Sequence, residues 1–244
     1  MKKYELTAET KTEDGKTLYR IKALKSFNTI KVNDLGGFIE SERNLSHEGN
    51  CWVYDDACVY DKAFVCDNAT IRNNAQVFEN AKVSGRAHIY RNAKVSGNAY
   101  VADSARVYDQ AHIFGDTWIS DSAIISGYVS IYGNSGIFDS VRILGHGTIG
   151  GETNLYGSIR VDGSTKDPFK IDSNLDIIFL SYIGSEHGSL TAYKTKSGDI
   201  YCNRGCFDGP FEEFIKRVNK KDDIDPSKKE YLDFIIPLIS YKLK

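Results

Sequence analysis

The sequence predicts a mainly β protein, a stack of very short strands turned by regular corners, with a different segment at each end. Three observations predict it. The first is a period. Stepping by six from Val53 to Val161 gives nineteen positions, all of them Val, Ile or Leu. The second is an inward companion. Two residues before the aliphatic, Ala fills ten consecutive registers from Ala57 to Ala111, and Thr117, Ala123, Val129, Ser135 and Val141 follow. The third is punctuation. Two residues after the aliphatic stands mostly Asp or Gly, as at Asp55, Asp61, Asp67, Gly85, Gly97, Asp103, Asp109 and Gly115.

A period of six is neither the 3.6 of a helix nor the 2 of a plain strand. Ala followed two residues later by Val or Ile describes a short strand with both side chains inward. The Asp, Asn or Gly that comes next describes a corner, since these residues tolerate left-handed backbone and bond their own main chain. One coil alone buries nothing, so each coil must stack on the next.

In these registers the phrase A-x-V-x-[DG]-N resembles the hexapeptide repeat of left-handed β-helix proteins, over residues 49–164. The resemblance implies a single-stranded left-handed parallel β-helix with three hexads to each triangular coil, hence about six coils. At roughly 4.8 Å per stacked strand these make a prism on the order of 30 Å tall. The handedness comes from the resemblance, because parallel crossovers are ordinarily right-handed. One feature departs from the family: Tyr, Phe and Ser often follow the aliphatic, where small or acidic residues are usual.

Alternation within each strand puts the residues on either side of the aliphatic outside, in three columns. The first face carries Trp52, Tyr54, His88, Tyr90, Arg106 and Tyr108. The second carries Tyr60, Phe78, His112, Phe114 and Tyr132, and the third Phe64, Tyr100, Trp118, Phe138 and Tyr156. Tyr, Trp and Arg are enriched in protein interfaces. At least one face is therefore expected to be covered by another subunit or by the terminal segments, and the rings of the first and third faces are the candidate interface of a homodimer or homotrimer. Single rings also have a simpler account, as ladders that stabilise neighbouring coils.

Composition limits the functions open to the chain. A net charge of −2, from 31 basic and 33 acidic residues, provides no global attraction to nucleic acid or anionic membrane. The start MKKYELTAET turns polar after two lysines, so no secretory leader is expected, and no apolar run approaches the roughly 18 residues of a membrane span. The C-terminal YLDFIIPLISYKL is too short to span and is expected to pack against protein. Cys51, Cys58, Cys66, Cys202 and Cys206 form no pair of CxxC clusters, so reduced thiols in a cytoplasmic protein are expected, without structural zinc.

The family resemblance also raises enzymatic activity, since many β-helix proteins of this kind are trimeric acyltransferases that use a His as general base between subunits, beside an extruded loop. His88 and His112 are the candidate bases. No insertion interrupts the nineteen registers, neither His has an acidic companion in sequence, and the spacing is not that of a three-His metal site. The glycines of GHGTIGGETNLYGS fall at corner registers 145, 151, 157 and 163, so they serve turns rather than a phosphate loop. No cofactor is expected.

Residues 1–48 read as an N-terminal β cap: YELTAETKTEDGKTLYRIKAL alternates on both sides of Asp14-Gly15, a hairpin signal. Residues 165–244 read as a small α+β domain. Strands are expected over 169–183 and 189–206, with a hairpin turn at Ser197-Gly198. Pro210 opens an amphipathic helix with Phe211, Phe214, Ile215 and Val218 on one face, and Pro237 is expected to kink or break a second helix that follows Pro226.

The segments DLGGFIESERNLSHEGN and TAYKTKSGDIYCNRGCFDGPFEEFIKRV resemble the ends of a group of β-helix proteins encoded by bacteriophages and prophages. That resemblance implies such an origin and layout, and puts Arg204, Cys206 and Phe207 in the group's C-terminal motif. Cys206 has no His nearby in sequence and reads as structural. The expected function is a non-enzymatic phage-type binding protein. Its rod self-associates, and its C-terminal domain binds a host protein through Arg204, Phe207 and Phe211, as an anti-CRISPR-like inhibitor of bacterial defence. The alternatives are an acyltransferase-like trimer and a self-assembling structural protein.

Overall fold

A computed structural model of the chain describes residues 2–184, 186–221 and 225–243. From Trp52 to Ile171 the chain winds as a parallel β-solenoid. Each two-residue strand pairs with the strand 18 residues later: Trp52–Val53 with Thr70–Ile71, Phe64–Val65 with Lys82–Val83, and Gln76–Val77 with Lys94–Val95. The residues flanking the aliphatic donate to the following coil, as in Trp52 N–H to Ala69 O at 3.1 Å and Tyr54 N–H to Ile71 O at 2.8 Å. Between the strands, the Ala column from Ala57 to Ala111 and the aliphatic column beside it are completely buried. A methyl next to a branched side chain is what fits between three sheets that converge on one axis.

The corners are backbone events. All eighteen positions taken six apart from Asp55 to Gly157 have positive φ, between 53° at Asp55 and 87° at Gly127. In that region the N–H of the corner residue turns along the axis and leaves the ladder. Where the corner one coil earlier carries Asp, Asn or Glu, that side chain accepts it: Asp55 Oδ2 from Asn73 N–H at 2.9 Å, Asp121 Oδ2 from Asp139 N–H at 3.1 Å, Asp139 Oδ2 from Gly157 N–H at 2.8 Å. The corner side chains thus bond the next coil's main chain, not their own as the local turn chemistry suggested. Asn ladders run beside them, Asn50 to Asn68 at 3.1 Å and Asn80 to Asn98 at 3.0 Å. At Gly115 the coils approach so closely that a Cβ would lie 2.8 Å from Gly133 O.

The solenoid has about seven turns rather than six. The strand Leu35–Ile39 pairs in parallel with Cys58–Val59, and Leu45 bridges Val65, so a further coil precedes the regular ones. Its offset is 20 residues, as in the pairs Phe38 with Cys58 and Leu45 with Val65, because Leu45 and Val53 stand eight apart rather than six, just past a short turn at Glu42–Asn44. The Asn44 amide fastens that turn to Asp61 O at 3.1 Å and Ala63 O at 2.9 Å. Counting in sixes cannot register this coil. The strands Tyr4–Glu13 and Lys16–Ala23 form the expected hairpin about Asp14-Gly15 and extend the sheet of the second face. Gly36 and Gly37 let this segment cross the first coil, since a Cβ on Gly37 would sit 2.6 Å from Ala57 O.

At the other end Ile149 pairs with Ile171, an offset of 22. Residues 164–168 leave the coil as a loop, and Phe169, fully packed, closes the interior against Tyr193 at 6.3 Å. The segment expected as one strand over 169–183 is interrupted, because the Asp176 carboxylate accepts the N–H groups of Asp172 and Ser173 and bends the chain. A four-stranded antiparallel sheet follows, Ile177–Ile183, Gly188–Lys194, Ile200–Arg204 and Phe207–Pro210 in chain order. The helix Phe211–Asn219 packs on it. The last segment is helical from Pro226 to Leu243. Pro237 does not break it: a π turn at Tyr231–Ile235 directly precedes the helix Ile236–Leu243 and widens it where proline lacks a donor.

Replacing a corner acceptor tests this account. Asp139→Ala is expected to lower the unfolding free energy by about 1–2 kcal/mol, since alanine neither favours left-handed backbone nor accepts the Gly157 N–H. Asp139→Gly should cost less, and Asp139→Asn least, because Asn73 already accepts the Arg91 N–H at 3.2 Å. Urea denaturation of the three variants checks the order.

Candidate functional site

The outward columns differ in what covers them. On the first face Trp52 is completely buried beneath the N-terminal segment, 5.4 Å from Phe27 and 6.2 Å from Tyr4, ring to ring. It therefore cannot belong to an outer interface, a correction to the reading from register alone. Tyr54 lies 3.9 Å beneath the Arg72 guanidinium, and Tyr90 stacks on Tyr108 at 4.7 Å beside Arg106. The second face is roofed at its base by the hairpin, with Tyr60 O–H donating to Asp14 at 2.7 Å and the Gln76 amide to Glu13 at 2.8 Å.

The third face carries rings that no described segment covers from Tyr100 to Tyr156. Tyr100, Trp118, Phe138 and Tyr156 form a continuous ladder with centroid separations of 5.7, 5.9 and 4.9 Å, and Phe64 lies half-buried at its foot. Trp118 is 50% exposed and Tyr156 55%. Ala102, Ser120 and Gly136 flank the rings, and a Cβ at Gly136 would fall 2.3 Å from the Phe138 ring, so a larger residue there would displace that ring. Lys82, over Tyr100 at 5.4 Å, is the one charge among the outward positions of this face from 64 to 156. Covering such a surface removes aromatic area from water without stripping ions of theirs.

His88 and His112 lie on different faces. The Nδ1 of His88 is 2.6 Å from Thr70 Oγ1, and burial, with Arg106 and Arg72 nearby, holds its pKa below the ordinary value. The Nε2 of His112 is 3.3 Å from Ser96 Oγ, and burial followed by Lys94 lowers its pKa too. Both are neutral at pH 7, and no carboxylate among the described residues hydrogen-bonds either ring. All five cysteines are free; burial pushes the Cys202 thiol up to about 12, while Cys206 is exposed. Among the described residues no three His, Cys, Asp or Glu side chains group as metal ligands. No helix among them is long and apolar enough to cross a membrane.

In the C-terminal segment Arg204 acts as a clamp, donating from Nε to the Tyr231 phenolic Oη at 2.7 Å and from Nη2 to Ile183 O at 3.0 Å. Phe207 is half-buried against Phe214 at 5.4 Å. Phe211 points into the core with Phe214 and Val218, which corrects its expected place among the partner-binding residues. Exposed apolar residues lie elsewhere, at Leu175 (72%) and Tyr182 (75%) and, on the last helix, at Phe234 (69%) and Tyr241 (82%) with Leu238 between them. The final helix buries Tyr231, Ile235, Ile239 and Leu243 and so carries a second apolar stripe on its outer side. That stripe was visible in YLDFIIPLISYKL as more apolar residues than one buried face can use.

Comparison with known proteins finds no matching family model. The chain is 37% identical over 67 residues to an uncharacterized acetyltransferase, YdcK, of Escherichia coli (strain K12). The match covers 24% of this chain and 21% of that relative. This partial match and the parallel solenoid both fit the hexapeptide-repeat β-helix superfamily.

The histidines make a pH prediction. With the folded pKa of His88 below its unfolded value of about 6.5, the unfolded chain binds more protons as pH falls. Its contribution is complete above that value and is lost as pH drops toward the folded pKa. Unfolding midpoints at about pH 7.5 and about pH 5 should therefore differ less in His88→Gln than in the unaltered protein.

Proposed function

We propose that the chain is a non-enzymatic binding protein of phage or prophage type. Its solenoid is a rod that self-associates through the third face, and its C-terminal segment engages a host protein through the stripe of Phe234, Leu238 and Tyr241. The observation that carries this reading is the uncharged, exposed ladder from Tyr100 to Tyr156. A run of large rings in water is costly unless it is covered, and rings give much contact area for little lost freedom. The likeness of both ends to phage and prophage β-helix proteins supports the origin. Interference with a bacterial defence system, in the manner of anti-CRISPR proteins, is the use we infer from it.

Light scattering tests the rod. Trp118→Glu places a charge in the middle of the ladder and should reduce the assembly to single chains; a single-chain mass for the unaltered protein would overturn self-association. Capture of host proteins by the tagged full chain tests the helix. Partners retained undiminished by the Phe234→Glu, Tyr241→Glu double variant would remove that stripe from the reading.

A second reading has one observation in its favour, the partial match to a protein described as an acetyltransferase. It would use a neutral His88 or His112 as base, completed by a neighbouring subunit. Turnover of acetyl-CoA that disappears in His88→Ala or His112→Ala would establish it over the first.

A further inference from the structure

A groove of about 630 Å³ lies on the second face where the last coils meet the C-terminal segment. Three changes of pattern build it. Entering this face, the corner column reads Asp56, Asn74, Asn92 and Gln110, then changes to Tyr128 and His146. These two rings stack at 4.9 Å with planes 12° apart, and Tyr128 is 63% exposed. The stack owes its place to strands Tyr128–Ile131 and Arg142–Ile149, which run on without the usual break and pair in register. Next, the floor is a column of side chains on successive coils, Ser130, Thr148 and Lys170. Last, the loop at 164–168 and the hairpin tip at Lys196 form a wall. Lys196 N–H donates to Pro168 O at 2.8 Å, and Ser197 Oγ–H donates to Asp167 at 2.6 Å.

The wall is thus fixed without the Lys196 side chain, and among the described residues no carboxylate pairs with the Lys196 ammonium. Lys170 pairs at 3.3 Å with Asp172, whose carboxylate also lies 3.5 Å from the Tyr132 hydroxyl at the groove's edge. No Asp or Glu lines the groove itself, unlike the larger cleft beneath the helix Phe211–Asn219, which Asp167, Asp199, Glu212 and Glu213 line. Two ammonium groups and the hydroxyls of Ser130, Thr148 and Thr165 along one space suit a group with several acceptor oxygens and negative charge, and lysine serves phosphate as a point charge. The flanking Tyr128 and Tyr132 offer apolar ring surface beside it.

We propose that this groove binds a small phosphorylated ligand built on a ring, of the sugar-phosphate or nucleotide class. The phosphoryl group lies among Lys170, Lys196, Ser130 and Thr148, and the ring lies against Tyr128 or Tyr132. The site is independent of self-association and of the terminal helix, so its test stands apart from theirs.

Calorimetric titration of the full chain with AMP, glucose 6-phosphate, inorganic phosphate and glucose decides it. One AMP or one glucose 6-phosphate per chain is expected, with inorganic phosphate weaker and glucose silent. Tighter AMP assigns the nucleotide class, and tighter glucose 6-phosphate the sugar class. Lys196→Ala, an exposed change that leaves every core contact in place, should weaken binding about tenfold, the value of one charge-assisted contact. Tyr128→Ala should weaken the ring-bearing probes without changing inorganic phosphate. The proposal is overturned if neither ring-bearing probe binds at about 10 mM, if inorganic phosphate binds as tightly as they do, or if Lys196→Ala, with an unchanged circular dichroism spectrum, binds like the unaltered protein.

Discussion

A chain that turns a corner every six residues must enter the left-handed region at each one, and every such entry swings one N–H out of the sheet ladder. Both problems meet at the same residue, so Asp and Asn recur there. They tolerate the conformation, and their oxygens accept the stray N–H of the next coil. Where glycine stands at the corner the strain disappears, and adjacent coils approach more closely than a Cβ would allow. The rest of the rod depends on this arrangement. Corners that repeat without insertion keep the coils in register, and register keeps each inward pair beneath its copy one coil away.

The same regularity makes the outer surface a set of columns. Because successive outward residues stand one coil apart, changing one letter in a hexad places a side chain directly between two known neighbours. Rings in one column stack. An Arg above a Tyr covers its face. A hydroxyl column ending in a lysine becomes the floor of a groove. The repeat supplies positions of fixed geometry, and chemistry enters through the letters that vary.

Both ends break the regularity, and the breaks concentrate chemistry. At the start, a coil of 20 residues and a folded-over hairpin remove Trp52 and Tyr60 from the surface. At the finish, four extra residues between paired positions expel the loop at 164–168, which resembles in kind the extruded loop that the nineteen uninterrupted registers had argued against; it lies just past them. A π turn in front of Pro237 keeps the last helix continuous, so both of its apolar stripes survive, one buried and one in water.

The sequence by itself determined the stack, the inward residues and the corners. Each is a local preference repeated in every register, and agreement over nineteen registers leaves no competing period. It also indicated the hairpin at Asp14-Gly15 and the helix after Pro210, which rest on adjacent residues. Only the tertiary structure decided which outward residues face water. Trp52 is covered by Tyr4 and Phe27, Tyr60 meets Asp14, and Lys196 comes to the floor built by Ser130 and Thr148. Those partners lie tens of residues apart, and a pattern with a period of six carries no information about contacts at such separations. Phe211 and Phe234 show the same division: both read as apolar helix positions, and packing against the sheet buried the first and left the second exposed.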